Sequence, residues 1–328
     1  MSWGALFPGQ GSQSVGMGKW LVENFPVARE TFEEASDALR LNFKKLCFEG
    51  PAEDLQLTEN TQPALLLVSM ATFRVVASEV GVYIAAAAGH SIGEYAAIVS
   101  AGGLTFADGL RAVRIRGQAM QEAVPVGEGG MTAVMGLSDA QVAYLCRWAE
   151  EKSGISPVEA ANFNAPEQVV ISGSLKLLNW MKENAKAEIF APETPRMKLI
   201  PLKVSAPFHC RLMKPAELKM REVLTEIPFR DTQWPIIQNF TAEATTDADI
   251  LRQNLIHQVS GPVRWTQCVL ALAASGVDRQ IEFGSGKILS GLAKKIDSNG
   301  PTPFNINTLD ELKILVAALG EESRGGRV

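Results

Sequence analysis

Nowhere in the 328 residues does an apolar run reach the length of a membrane-spanning helix. The opening Met1-Ser2-Trp3-Gly4 has neither the basic start nor the long apolar stretch of a secretory leader. Cysteine is sparse, and Cys47, Cys146, Cys210 and Cys268 stand far apart with no metal-ligand spacing. They read as free thiols, as expected in a reducing cytoplasm. Surplus positive charge is also missing. A net charge of -5 argues against nucleic-acid binding, which needs clustered lysine and arginine. No repeat or low-complexity linker breaks the chain. With 46% hydrophobic and 20% charged residues, the sequence describes a soluble globular protein, with core enough for one large domain or two modest ones. Histidine is scarce too: His90, His209 and His257 are the only three.

What is present centres on Ser91. An apolar run, Val82 to Ala88, meets Gly89-His90-Ser91-Ile92-Gly93 and then the helix-forming Glu94-Tyr95-Ala96-Ala97-Ile98-Val99. Gly89, Ser91 and Gly93 match the G-x-S-x-G elbow, in which small neighbours let the chain turn sharply and leave the serine hydroxyl exposed. The helix that follows points free N–H groups and a partial positive charge at any oxyanion formed there. Read blandly, the same residues are a Gly-Ser turn capping an ordinary helix.

Around this elbow the elements alternate. Ala5-Leu6-Phe7 reads as a first strand, followed by Pro8-Gly9-Gln10-Gly11-Ser12-Gln13. A dinucleotide fingerprint fails there because Ser14 replaces its third glycine. Helices are expected over 27–40, from Gln62 to Glu79 with Thr61 as N-cap, and from Phe106 to about Ala123 behind a Thr105/Asp108 capping box. The last of these carries Arg111, Arg114 and Arg116, for each of which a solvated helix face is the default. Then come a strand at 131–135, a helix from Ser138 to about Glu151, strands at 158–161 and 168–172 joined across Asn162-Phe163-Asn164-Ala165-Pro166, a helix from Ser174, and a strand at 197–204. That β-α-β-β-α-β order is the split unit of ferredoxin-like domains. It marks residues 126–200 as an insertion between residues 1–125 and 201–328, which form the larger domain.

Downstream, Ser205-Ala206-Pro207-Phe208-His209 forms a loop before a helix from about Arg211. Residues 235–240 are strand-like, 247–258 are helical, and a helix follows Pro262. A strand at 279–283 leads through Gly284-Ser285-Gly286-Lys287, which lacks the spacing of a phosphate loop, into a helix reaching Lys295. A short strand at 305–307, a helix at 309–319 and a polar, fraying tail from Gly320 complete the chain.

A serine nucleophile needs a base. His90 adjoins Ser91, where successive side chains diverge, and suits packing or local hydrogen bonding. His257 lies within a helix, where a structural role is the default. His209 lies just past a strand end, where α/β enzymes place catalytic groups, which favours it without closing the choice. Asp108 and Asp139 sit at helix starts, where capping accounts for them. No acid is left over, so a Ser-His dyad oriented by a carbonyl or amide is expected.

With these residues in hand, the chain resembles the malonyl-CoA:acyl-carrier-protein transacylases, relatives of polyketide synthase acyltransferase domains. The resemblance runs through Phe7–Gln13, Thr61-Gln62-Pro63-Ala64-Leu65, Gly89–Tyr95, Arg116-Gly117 with Met120–Pro125, Asn162–Pro166, Pro207-Phe208-His209-Cys210, Gln258 with Gly261-Pro262-Val263, and Gly284–Lys287. It implies an α/β fold: an α/β-hydrolase-like large domain with a parallel sheet, carrying the inserted ferredoxin-like one. It also implies Ser91 as nucleophile, His209 as base, and the amides of Gln10 and Ile92 as oxyanion hole. Arg116 would bind the substrate carboxylate, with Gln258, Asn162 and Phe208 in the substrate site. Phe208 stands where some bacterial members carry serine, and resembles malonyl-selective polyketide acyltransferases. Ser285 replaces a common proline, a departure of little consequence.

The implied reaction moves malonyl from malonyl-CoA to the phosphopantetheine thiol of an acyl carrier protein, for fatty-acid synthesis or, alternatively, polyketide synthesis. It needs no metal or redox cofactor. Carrier proteins are acidic, so docking would need a local basic patch, for which Lys287, Lys294 and Lys295 are candidates. Two rivals differ in kind. An esterase or thioesterase would show an acidic third triad member and no cation in the acyl pocket. A non-catalytic carrier-binding module would have no use for an intact Ser91, His209 and Arg116.

Overall fold

The computed structural model describes residues 2–325. In chain order its strands are β1 (Trp3–Phe7), β2 (Ile84–Gly89), β3 (Gly129–Met135), β4 (Val158–Ala165), β5 (Gln168–Ser174), β6 (Lys198–Pro201), β7 (Ile236–Ile237), β8 (Ala244–Thr245), β9 (Arg279–Glu282) and β10 (Phe304–Asn305). The helices are α1 (Lys19–Asn24), α2 (Pro26–Leu39), α3 (Phe43–Phe48), α4 (Ala52–Gln56), α5 (Thr58–Glu79), α6 (Gly93–Ser100), α7 (Phe106–Glu122), α8 (Asp139–Ser153), α9 (Leu175–Asn184), α10 (Lys214–Glu226), α11 (Ala248–Gln258), α12 (Trp265–Ala274), α13 (Ile288–Ile296) and α14 (Leu309–Gly325). This is an α/β fold. No helix among the described residues is long and apolar enough to cross a membrane.

The larger sheet has the order β10-β9-β1-β2-β7-β8, parallel except for the β7–β8 pair at one edge. Period-2 alternation splits its side chains between two cores. Trp3, Ala5 and Phe7 pack with Leu65, Leu66 and Ala71 of α5, whereas Leu6, Ala86 and Ala88 pack with Trp265, Val269 and Leu272 of α12. Helices on both faces explain why β1 is buried throughout and reads as a continuous apolar run. Phe7 pairs with Gly89, so the loops after β1 and β2 leave the sheet side by side. That register brings Gln10 beside Ser91.

The smaller sheet is antiparallel, with the order β4-β5-β3-β6. One face holds Val134, Val169 and Ile171 against Leu145 of α8 and Leu177 of α9. Met131, Ala161 and Val170 turn the other way and join the main core. Backbone bonds from Phe163 N–H to the Val263 carbonyl and from Val263 N–H to the Ala161 carbonyl tie β4 to the segment before α12.

Several elements differ from expectation. β4 runs on through Asn162–Ala165, because its ladder with β5 and the Val263 contact occupy the backbone, and only Pro166-Glu167 turns. Thr61 is not an N-cap. α5 begins at Thr58, and the Thr61 hydroxyl donates back to the Leu55 carbonyl at 2.5 Å. Pro63 therefore lies inside the helix and cannot donate to the Glu59 carbonyl, which instead accepts from Arg114 Nη1 at 2.9 Å. Thr105 caps α7, but Asp108 accepts the threonine hydroxyl instead of closing a full box. Helices α1, α3 and α4 and the strand β8 are too short to leave a periodic signal. The tail from Gly320 continues α14 to Gly325, and 326–328 lie outside the described residues.

Candidate active site

β2 ends at Gly89 and α6 begins at Gly93, leaving three residues for the turn. Ser91 sits at φ 52°, a left-handed conformation that a serine adopts only under constraint. The constraint is visible. Ser91 N–H donates to Asn239 Oδ1 at 2.7 Å, and Asn239 Nδ2 donates to the Gly89 carbonyl at 2.7 Å. A Cβ on Gly93 would stand 2.1 Å from the Phe7 carbonyl oxygen, and one on Gly89 2.0 Å from the Gly93 backbone. Gly93→Ala is expected to cost about 3 kcal/mol or more in stability, because backbone cannot yield as a side chain does. A lower denaturant midpoint with an unchanged m-value would register it.

The hydroxyl meets an imidazole. Ser91 Oγ lies 2.8 Å from His209 Nε2, and His209 Nδ1 lies 2.8 Å from the Gln258 backbone carbonyl. A carbonyl only accepts, so Nδ1 carries the proton and Nε2 presents a lone pair to the serine. Burial, then the charge of Arg116, push the His209 pKa down to about 3. The ring is thus neutral and free to take a proton at ordinary pH. Its Nδ1 partner is a carbonyl and not a carboxylate, as expected for a dyad.

Arg116 enters from α7 with 1% exposure. Its Nη2 donates to Ser91 Oγ at 3.2 Å and to Gln258 Oε1 at 2.9 Å, and its Nη1 donates to Gln62 Oε1 at 2.8 Å. The guanidinium also packs over the Tyr95 ring. Its direct acceptors are neutral, and Nε has no partner among the described residues. A buried cation with a spare donor is costly alone and suited to an anionic guest. Its neighbours on α7 are otherwise engaged. Arg111 pairs with Asp108 at the surface, and Arg114 is held by Glu59 and Asn60.

These groups share a cavity of about 330 Å³, which Gln10, Ile92, Asn162 and Phe208 also line. Gln258 lies beneath, fully buried. His90 also lines the cavity but is engaged elsewhere, with Nε2 2.8 Å from Asn164 Oδ1 and the ring packed on Trp265. His257 is half-buried, stacked on Phe240 and 3.7 Å from the buried Glu217. Neither reaches the serine. Lys295 donates to Gln168, while Lys203, which the sequence did not single out, lines the cavity. Among the described residues no group of three His, Cys, Asp or Glu side chains is placed to hold a metal ion.

The model of the acyl transferase domain family matches residues 6–286. A malonyl CoA-acyl carrier protein transacylase of Salmonella typhimurium is 45% identical over 314 residues, 96% of this chain and 97% of that protein. The chain belongs to the malonyl-CoA:acyl-carrier-protein transacylase family. A solved FabD of Acinetobacter baumannii superposes with a TM-score of 0.91 at 40% identity, over 98% of this chain and 99% of that one. A malonyl-transacylase solved with a type II PKS acyl-carrier protein gives 0.90 at 37% identity, over 97% of this chain and all of the other.

Within this member of the family, three side chains that hold the site's polar groups, besides Lys203 in the cavity wall, have no role assigned by the sequence. Gln62 reads in the sequence as a helix start and as part of the Thr61–Leu65 block, and in the structure it accepts from Arg116. Asn239 follows the apolar Ile236-Ile237, so a polar residue at a strand end was its signal. Glu94 is a fully buried carboxylate in the apolar segment 93–99, where a lone charge is conspicuous.

Proposed function

We propose that this enzyme transfers malonyl from malonyl-CoA to the phosphopantetheine thiol of an acyl carrier protein through a malonyl ester on Ser91. One observation carries the reading: a serine hydroxyl bonded to a neutral imidazole stands 3.2 Å from a buried guanidinium. His209 Nε2 takes the Ser91 proton while Oγ attacks the thioester carbonyl carbon. The Gln10 and Ile92 N–H groups receive the oxyanion, and Arg116 receives the malonyl carboxylate. Collapse breaks the C–S bond, and His209 returns the proton to the departing coenzyme A sulfur. The carrier thiol then gives its proton to His209, attacks the ester, and serine leaves with that proton. Coenzyme A and carrier balance the cycle, with no metal or redox cofactor.

Asn162 and Phe208 wall the acyl site in this reading, and the likeness of Phe208 to malonyl-selective polyketide acyltransferases favours malonyl over methylmalonyl. Gln258 orients His209 through its carbonyl. The relatives named as malonyl transacylases support fatty-acid supply, and the relative solved with a polyketide carrier protein keeps that route as the second reading. We further infer that residues 1–125 and 201–328 form an α/β-hydrolase-like domain and 126–200 a ferredoxin-like insertion. The elbow at the end of a parallel strand supports the first, and the order β4-β5-β3-β6 supports the second. Four buried free thiols suit a cytoplasmic protein.

Mixing the protein with malonyl-CoA is expected to add one malonyl mass, stable in water beyond a turnover and discharged quickly by holo-carrier protein. Rapid release of free malonate, indifferent to carrier, would make the protein a hydrolase instead.

A further inference from the structure

The Ser91–His209 pair has no acid at Nδ1, yet a carboxylate lies one residue beyond it. Glu94 is fully buried and accepts from Asn239 N–H at 2.8 Å, Gln258 Nε2 at 2.9 Å and Gln238 Nε2 at 3.2 Å. Two of those donors hold the reacting groups. Gln258 bonds His209 Nδ1 through its carbonyl, Arg116 through Oε1, and the Ser91 carbonyl through Nε2 at 3.0 Å. Asn239 holds the Ser91 N–H. An ionised carboxylate accepts and a guanidinium donates, so between them the Gln258 amide has one orientation that satisfies both. We propose that Glu94 is a positioning residue whose buried carboxylate, acting through Gln258 and Asn239, does for this dyad what a triad acid does by direct contact. It aligns the imidazole and supplies the negative charge that offsets the imidazolium formed when Ser91 reacts.

This rests on Ser91 being the reacting hydroxyl. Glu94 faces Arg116 on α7 and Cys268 on α12, with Tyr95 next to it on α6. Burial raises the Tyr95 and Cys268 pKa, so both stay neutral, and the guanidinium stays charged. Burial also lowers the pKa of His90 and carries that of His209 down to about 3. Glu94 is raised to about 7, chiefly by desolvation, and is the group in this cluster that changes charge near neutrality.

The test is the rate at which phenylmethanesulfonyl fluoride, a neutral reagent that makes no call on Arg116, modifies Ser91 between about pH 5 and 9. In the wild type the rate should climb as pH rises through about 7, as Glu94 ionises. Glu94→Gln should react about 10- to 100-fold more slowly above that point and lose the climb. Glu94→Asp should keep it. Glu94→Gln turns one accepting oxygen into an NH2 that faces a donor, so a lower melting temperature is expected whichever role the carboxylate has. A purely structural carboxylate would do no more than that and leave the pH profile in place, which makes the profile the deciding readout. A wild-type profile flat across this range, which needs no variant to measure, would overturn the proposal, as would wild-type kinetics in Glu94→Gln. Absence of a malonyl adduct with the climb intact would fault the substrate reading above and leave this one standing.

Discussion

Ser91→Ala is expected to yield a folded protein that gains no malonyl mass from malonyl-CoA. The hydroxyl is the only atom removed, and the bonds that shape the elbow, from Ser91 N–H to Asn239 and from Gln258 Nε2 to the Ser91 carbonyl, involve backbone that alanine retains. Stability should therefore hold while chemistry vanishes. His209→Ala should slow acylation about 100-fold or more, the usual worth of a general base. His257→Ala serves as the control. That ring stacks on Phe240 and faces Glu217, so its loss should act on stability. Intact-mass measurement with time, beside a melting curve for each variant, separates these outcomes. A malonyl adduct on Ser91→Ala, or equal losses of turnover for the two histidine variants, would put the nucleophile or the base elsewhere.

Arg116→Ala should cut malonyl transfer while sparing acetyl. Malonyl differs from acetyl by a carboxylate, and in the proposed reading the cavity's buried guanidinium would receive it with a planar fork that lysine cannot reproduce. Without that partner the carboxylate would be desolvated and unpaired, a penalty of about 2–5 kcal/mol. At about 1.4 kcal/mol per tenfold, malonyl-enzyme formation should fall by about 30-fold to several thousand-fold. Acetyl-CoA brings no such charge. Its use should be unchanged or improved, since the variant also spares the cost of a buried cation. Acyl-enzyme formation from both thioesters, in wild type and variant, is the measurement. Parallel losses would make Arg116 structural, a keeper of Gln62 and Gln258 only.

The elbow, the two sheets and the dyad were legible because each leaves a local or ordered trace. An apolar run broken at Gly89-His90-Ser91-Ile92-Gly93 is a strand, a turn and a helix wherever it occurs. Only three histidines stand in the chain, which narrowed the base to a short choice. Arg116 was set apart from Arg111 and Arg114 by resemblance alone, since all three share a helix and periodicity does not tell a solvated arginine from a buried one. Packing does: Arg114 is drawn to the carbonyl that Pro63 leaves free, while Arg116 turns inward over Tyr95. The extent of β4 was equally beyond the sequence, because its end is set by partners on β5 and at Val263.

By itself, then, the sequence determined the class of fold, the strand-turn-helix elbow at Ser91, the candidate nucleophile and bases and the want of an obvious acid, because these follow from residue type, spacing and order along the chain. Tertiary structure alone decided that a backbone carbonyl stands at His209 Nδ1, that Gln62, Asn239 and Glu94 are joined to the site by hydrogen bonds, and that the direct acceptors of Arg116 among the described residues are neutral. Those facts depend on contacts between residues as far apart as 94 and 258, and on the burial that removes water from between them. That burial holds the imidazole of His209 neutral, poises the Glu94 carboxylate near neutrality and leaves the Arg116 guanidinium desolvated against neutral acceptors.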